Sequence, residues 1–104
     1  VEIELYNGYD ANDKVDTVEQ YKLCNEVGLK ISFDGTHTGY KLISAFYKDN
    51  KLVNVDINDG NSSNENYSEY YYQIKSKIDC DMIKIFVCND LFDMKPLWQG
   101  KEMN

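Results

Sequence analysis

The sequence predicts an all-β fold, an antiparallel β-sandwich of about seven strands. Apolar and polar residues alternate with a period of two along most of the chain, which is the pattern of half-buried strands. Clusters of Gly, Asn, Asp and Ser interrupt these runs about every ten residues, the spacing of turns in antiparallel β-sandwiches. The chain has 104 residues, so residues 1–104 are predicted to form a single domain.

The first part of the chain contains two predicted strands and a short helical segment. Residues 1–5 alternate apolar with acidic side chains, which predicts a half-buried strand. Residues 15–23 have apolar side chains at helical spacing, enough for one or two turns. Residues 27–33 alternate again, and the polar residues 34–39 predict a turn or loop.

A hairpin is predicted next. Residues 40–47 are apolar at both parities, as in an interior strand that is buried on both faces. The residues that follow are predicted to form a tight turn, because Asp49 and Asn50 both tolerate a positive φ.

The returning strand of this hairpin, residues 52–57, has two possible phases. One phase points Leu52 and Val55 inward, and the other points the alternating row Val53, Val55 and Ile57 inward. The second phase fits the period of a strand better, so this row is predicted to join the core.

The last part of the chain adds two strands and an apolar segment. Residues 58–66 are polar and predict a loop, residues 67–75 predict a tyrosine-rich strand, and residues 82–88 alternate apolar and mixed positions. The segment 88–99 contains the only proline and the only tryptophan. It is predicted to be a turn and short edge strand that closes the sandwich, because proline cannot donate a hydrogen bond inside a sheet.

The charge pattern argues against nucleic-acid and membrane partners. The chain has 11 basic and 18 acidic residues, a net charge of −7, and every basic residue is a lysine. Nucleic-acid binding depends on basic patches and commonly on arginine, and anionic membranes attract basic segments. No apolar run approaches the roughly 20 residues that span a bilayer. We therefore expect no nucleic-acid partner and no membrane insertion.

The three cysteines, Cys24, Cys80 and Cys88, are predicted to be free, buried thiols. No C-x-x-C pair is present, which argues against a zinc site. Cys80 and Cys88 flank one predicted strand and would lie about 26 Å apart along it. A disulfide needs Cα atoms within about 7 Å, so these two cannot pair. Cys24 is able to reach either one, and nothing in the sequence selects between them.

Two segments resemble a known type of domain. KLISAFYKDNKLVNV, residues 41–55, is similar to a strand L-I-x-A-x-Y followed by a D-N-x-G-K-L turn. MIKIFVCNDLFDMKPL, residues 82–97, is similar to V-K-x-F-x-W-D-x-L-x-x-M-K-P-L. The matching positions are Leu42, Ile43, Ala45, Tyr47, Lys51, Leu52, Ile83, Lys84, Phe86, Leu91, Met94, Lys95, Pro96 and Leu97.

Together these segments resemble the Ig-like or fibronectin type III-like accessory domains of large secreted and surface proteins from anaerobic, low-GC Gram-positive bacteria. Cys88 stands where that family has Trp, and the turn glycine is missing near Asn50. The resemblance covers about half of the chain, and the all-lysine, Asn-rich composition fits an AT-rich genome.

The resemblance implies a noncatalytic accessory module that acts as a spacer, packing partner or adhesion module of a larger protein that is secreted or attached to the cell surface. Its partners would be neighbouring domains of the parent protein, with a polysaccharide or a cell-surface protein as further candidates. The chain opens with Val1, which fits a domain excised from a longer protein.

The alternative function is that of a carbohydrate-binding module. In YSEYYYQIK, Tyr70 and Tyr72 share one face of the predicted strand and Tyr71 lies on the other. Exposed aromatic rings can stack on the apolar faces of sugars. These three tyrosines and Trp98 are therefore the candidate ligand contacts, although tyrosine is also simply common in strands.

Metal and catalytic signals are weak. Asp10, Asn12, Asp13 and Asp16 gather oxygen ligands in one segment, a weak candidate for calcium, although acidic loops of this kind are commonly just solvated. His37 is the only histidine and has no accompanying nucleophile signature. We expect no enzyme, no catalytic residue and no cofactor.

Overall fold

A computed structural model of the chain describes residues 2–32, 40–60, 69–74, 77–88 and 100–104. Within these residues, eight strands form two antiparallel four-stranded sheets, which confirms the predicted all-β sandwich. The strands are β1 (Glu2–Asn7), β2 (Lys14–Val15), β3 (Val27–Ser32), β4 (Tyr40–Lys48), β5 (Lys51–Gly60), β6 (Glu69–Ile74), β7 (Met82–Cys88) and β8 (Lys101–Met103), with one helix, α1 (Val18–Leu23).

The first sheet has the strand order β2-β1-β3-β6, and the second has the order β5-β4-β7-β8. Every pair of neighbours is antiparallel. The described residues contain one strand more than the predicted seven. The sequence did not indicate β2 and β8, because two or three residues are too few to show an alternating pattern.

The inner faces of the two sheets enclose one apolar core. Its fully buried side chains include Leu5, Leu29, Ile31, Leu42, Phe46, Ile83, Ile85 and Val87. The register places Leu5 opposite Leu29 and Ile3 opposite Ile31, which confirms the predicted phases of β1 and β3. Burial of each such side chain contributes about 1.5–3 kcal/mol, so this shared layer is the main stabilising element.

The helix α1 connects β2 to β3 and covers one side of the core. Thr17 is the N-cap of this helix. The Thr17 hydroxyl accepts a hydrogen bond from the backbone N–H of Gln20, and the side-chain carbonyl of Gln20 accepts one from the backbone N–H of Thr17. Val18 and Tyr21 are buried, and the Tyr21 ring centroid lies 6.1 Å from that of Phe46. The helical turns predicted within residues 15–23 are confirmed.

The β4–β5 hairpin has the predicted turn. Asp49 and Asn50 form a two-residue loop between the paired residues Lys48 and Lys51, and their φ values are +52° and +65°. Two consecutive positive φ angles are the signature of the turn type whose twist matches a hairpin. β4 is buried on both faces over most of its length, again as predicted.

The predicted phase of β5 is wrong. Val53, Val55 and Ile57 face solvent, with 48%, 39% and 41% of their surfaces exposed, whereas Asp56 on the opposite face of the strand is 8% exposed. The β4 partners explain this inversion. Leu42 and Phe46 point into the core, and directly paired residues share a face, so their partners Asn58 and Asn54 must point inward as well.

The packing of Tyr6 on the outer face of the first sheet requires the absence of a side chain at Gly28. A Cβ at Gly28 would lie 2.0 Å from the Tyr6 ring, because Tyr6 pairs with Gly28 and its ring lies across the strand at that point. This arrangement buries Tyr6 to 4% exposure even though it points away from the core.

We therefore expect Gly28→Ala to lower the free energy of unfolding by about 2 kcal/mol, because the Tyr6 ring must move out of its place. Urea unfolding measures this change, and Ser32→Ala on the same face of β3 is the matched control. In a Tyr6→Ala background the cost of Gly28→Ala should largely vanish. An equal cost in both backgrounds would contradict the assigned contact.

Candidate functional site

An exposed tyrosine lies on the outer face of the first sheet. The ring of Tyr71 packs edge-to-face on Tyr6, with the centroids 6.5 Å apart and the planes at 70°. Tyr71 is 56% exposed, whereas Tyr6 beneath it is buried. The buried ring thus supports an aromatic face that is open to solvent.

The other two tyrosines of β6 point inward. Tyr70 and Tyr72 pack against the core, where Tyr40 contacts both: its ring is edge-to-face with Tyr70, and its hydroxyl is hydrogen-bonded to that of Tyr72. Burial raises the pKa of the Tyr72 hydroxyl and that of Tyr40, so both remain protonated at neutral pH. Of the three predicted ligand contacts on this strand, Tyr71 is exposed, whereas Tyr70 and Tyr72 are partly buried.

A cavity of about 400 Å³ opens at one end of the same sheet. Its lining residues are Tyr9, Tyr21, Asn25, Glu26, Val27, Gln73, Ile74 and Lys77. Tyr9 is 81% exposed at this cavity, and Gln73 lies two residues from Tyr71 on the same face of β6. We call the group Tyr9, Tyr71, Gln73, Asn25 and Glu26 the tyrosine site.

Backbone contacts hold the loop that carries Tyr9. The Gly8 amide donates to the Glu26 carbonyl at 2.8 Å, and the Gln73 side-chain amide donates to the Gly8 carbonyl at 3.4 Å. Gly8 has a φ of +64°, a conformation that glycine adopts at little cost. The tyrosine site therefore combines residues from β6, the loop after β1 and the segment before β3.

Lys77 lines the cavity and already forms contacts with the end of α1. Its ammonium donates to the carbonyls of Tyr21 and Cys24 and lies 5.2 Å from the centroid of the Tyr21 ring. These carbonyls belong to the C-terminal end of α1, which is the negative end of the helix dipole and therefore favours a cation. Lys77 thus fixes the helix end against the cavity.

The weak calcium candidate has local hydrogen bonds of its own. The Asp10 carboxylate accepts a hydrogen bond from the backbone N–H of Asn12 at 3.0 Å. The Asp13 carboxylate accepts one from the side-chain amide of Asn7 at 3.2 Å. Asp16 lies just before the helix cap and donates its amide to Gln20. Within the described ranges, no group of three or more His, Cys, Asp or Glu residues is placed to hold a metal ion.

All three cysteines lie in the described residues and are unpaired and buried, as predicted. Burial raises the pKa of the Cys80 thiol and that of the Cys88 thiol. A thiol with a raised pKa is a poor nucleophile at neutral pH, because the thiolate is the reactive form.

Three features of the sequence analysis lie wholly or mostly outside the described residues. Trp98 was a candidate ligand contact, and residues 88–99 were predicted to close the sandwich, but only Cys88 of that segment is described. His37 also lies outside these ranges.

Sequence reasoning missed most of the tyrosine site. Tyr9 follows Asn7 and Gly8, which marks a turn with an exposed tip, and this was the one available signal. Asn25, Glu26 and Gln73 come together only through the pairing of β3 with β1 and β6, and nothing local in the sequence indicates that they share a cavity.

Comparisons of the chain with family models, with curated proteins and with solved structures gave no match. The described part of the chain contains no helix with the length and apolar character needed to cross a bilayer.

The buried thiols give a direct chemical prediction. In the folded protein at neutral pH, iodoacetamide should alkylate Cys24, Cys80 and Cys88 much more slowly than an exposed cysteine, because they are buried and the pKa values of two of them are raised. After unfolding without reductant, all three should react. Intact-mass spectrometry measures both states, and a species that lacks two hydrogens and takes up a single label would contradict the free thiols.

Proposed function

We propose that the chain is a noncatalytic accessory module of the Ig-like or fibronectin type III-like kind, belonging to a larger extracellular bacterial protein. It would act by packing against a neighbouring domain or a surface partner. The observation that carries the proposal is an apolar group on β5, the outermost described strand of the second sheet: Leu52, Val53, Val55 and Ile57, which we call the β5 strip. These side chains are 39–54% exposed.

The β5 strip is unusual for an isolated domain. Edge strands are normally protected by charges or proline, because their free backbone groups and apolar side chains invite association. Between Leu52 and Asn58, the only charged residue of β5 is Asp56, and it is turned inward. An edge of this kind is expected where another surface covers it.

The strand order supports the Ig-like part of the proposal. In immunoglobulin-type sandwiches, consecutive strands divide between the sheets so that one sheet contains A, B and E and the other contains C, F and G, with C′ added next to C in some members. The orders β1-β3-β6 and β5-β4-β7-β8 correspond to A-B-E and C′-C-F-G. This similarity in strand order supports the Ig-like class of fold and does not identify a ligand.

The accessory role predicts the size and place of the native protein. An antibody raised against the 104-residue chain should detect, in the bacterium that encodes it, a band far above 12.1 kDa. Protease treatment of intact cells should remove the cell-associated part of that band, and an intracellular enzyme should stay intact as the control. A band near 12.1 kDa, or one that is protected inside the cell, would overturn this proposal.

The tyrosine site favours a second candidate function, carbohydrate binding. The Tyr71 ring offers a flat apolar face, and Asn25, Glu26 and Gln73 offer amide and carboxylate groups at the neighbouring cavity. Sugar recognition commonly combines such a ring with a few polar groups, and the cavity is within the range of small-molecule sites.

For this second function, a glycan array probed with the chain should show selective retention that Tyr71→Ala and Gln73→Ala each reduce at least about tenfold, the scale of one lost stacking or hydrogen-bonding contact. Leu23→Ala is the matched control, because Leu23 is 84% exposed and lies outside the tyrosine site. Absence of retention for the wild-type chain, or retention equal in all variants, would exclude glycan binding at the tyrosine site.

A further inference from the structure

The hairpin of β4 and β5 contains one extra residue on β5. Next to its two-residue turn, Tyr47 pairs with Leu52. A regular continuation of the ladder would pair Phe46 with Val53, but Phe46 pairs with Asn54 instead, so Val53 is left out of the pairing. An extra residue of this kind is a β-bulge, and it shifts every later residue of the strand by one position along the ladder.

This bulge decides which face of β5 points outward. The regular continuation would give the pairs Val53–Phe46, Val55–Ser44 and Ile57–Leu42. The three β4 residues of these pairs are fully buried on the inner face, and residues directly opposite each other share a face. The apolar row of β5 would therefore point into the core, because a shift of one residue reverses every side chain of a strand.

We propose that β5 exchanges between these two registers. The major register is the one described, with the bulge at Val53 and the β5 strip outward. In the minor, regular register, Val53 joins the ladder and the rest of β5 advances by one residue, about 3.3 Å. Three of the four side chains of the β5 strip are then turned inward. The register thus controls whether this surface is available for association, a consequence that rests on the proposed function.

Each register has an unfavourable feature of its own. The described register leaves Val53, Val55 and Ile57 39–48% exposed and holds the acidic residue Asp56 at 8% exposure. The regular register removes the bulge and returns Asp56 to the outer face, but it brings larger side chains to the inner face, where overpacking is costly. Opposed costs within one strand are what allows two packings of the same sequence to coexist.

Side-chain contacts to β4 hold the described register only weakly. Ser44 lies directly opposite Asp56 and is fully buried, yet its hydroxyl makes no hydrogen bond within the described residues. The Asp56 carboxylate is therefore not tied to β4 through Ser44. On the outer face, Lys41 forms an ion pair with Asp59, but an exposed pair of this kind contributes little to stability. Backbone hydrogen bonds are available in both registers and do not select between them.

The position of β5 permits the shift. Among the described strands it pairs only with β4, so an advance of β5 breaks no other ladder. The Asp49–Asn50 turn and the pairs next to it are the same in both registers. Residues 61–68 connect β5 to β6, and an advance of one residue is small against the length of that connection. Exchange therefore needs the local opening of one strand, a motion of microseconds to seconds, and not global unfolding.

Disulfide trapping in the full 104-residue chain distinguishes the two registers. Ala45 lies opposite Val55 in the described register and opposite Asn54 in the regular one. Directly opposite Cα atoms are about 4.5–5.5 Å apart, within disulfide range, whereas side chains on opposite faces cannot be bridged. Under mild oxidation, Ala45→Cys with Val55→Cys should cross-link rapidly. Ala45→Cys with Asn54→Cys should cross-link completely but about ten- to a thousandfold more slowly, as expected for a minor state.

Two controls isolate the shift. Ala45→Cys with Lys51→Cys is out of reach in both registers, so its cross-linking rate measures the background from local opening. Deletion of Val53 removes the extra residue and makes the described phase the regular one. This deletion should abolish the 45–54 disulfide and leave the 45–55 disulfide unchanged. Peptide mapping by mass spectrometry separates both disulfides from any that involve the three native cysteines.

Saturation-transfer and relaxation-dispersion NMR on the unmodified chain give a second readout that does not depend on the folding of a cysteine variant. The amides of residues 53–59 should show one shared minor state, those of β1 should not, and deletion of Val53 should remove it. A wild type without this minor state would overturn the second register, and so would a 45–54 disulfide that forms no faster than the 45–51 background. Either result leaves the accessory role to the size and surface-exposure experiment, so the two proposals fail separately.

Discussion

The packing of two inner faces against each other determines most of this structure. Tyr40, Leu42 and Phe46 share one face of the interior strand β4 and are all fully buried in the core between the sheets. Since paired residues share a face, this choice also sets the phase of β5. The same requirement that fills the core therefore turns Val53, Val55 and Ile57 outward.

The two outer faces are consequently different in character. On the first sheet, Glu4 pairs with Lys14, and Lys30 lies 3.7 Å from Glu69. Exposed pairs of this kind contribute little to the free energy of folding, at most about 1 kcal/mol each, but they keep that face suited to water.

The second sheet has a more apolar outer face. Ile43 and Ala45 of β4 are buried and lie opposite Ile57 and Val55 of β5. The charged residues on this face are Lys41, Asp59, Lys84 and Glu102, and the β5 strip continues the apolar row of β4 to the outermost described strand. The first sheet thus offers a polar surface with a tyrosine site, and the second offers an association surface.

Prediction from sequence succeeded where a residue's neighbours in the chain fix its structure. The Asp49–Asn50 turn, the helical turns within residues 15–23 and the phases of β1 and β3 all follow from local pattern. It failed for β5, because a row of Val and Ile predicts burial and only the partner strand reveals which face is inward.

The tyrosine site was likewise predictable from the sequence only in part. The strand alternation indicated that Tyr71 and Tyr72 point to opposite faces, and the structure agrees. Which face is outward, and which polar groups gather near Tyr71, depends on the pairing of β6 with β3. The burial of Tyr6 over Gly28 is likewise a cross-strand contact, and a glycine in a strand signals only that something comes close.

The central claim is that β5 is turned with its apolar row outward. Methyl NMR in dilute solution with a soluble paramagnetic agent tests it directly, because the agent broadens signals of groups that solvent reaches. The account predicts strong broadening for Val53, Val55 and Ile57 and little for Leu42, Leu29 and Ile85. Protection of the Val55 and Ile57 methyls equal to that of Leu42 would contradict the orientation of β5 and, with it, the proposed association surface.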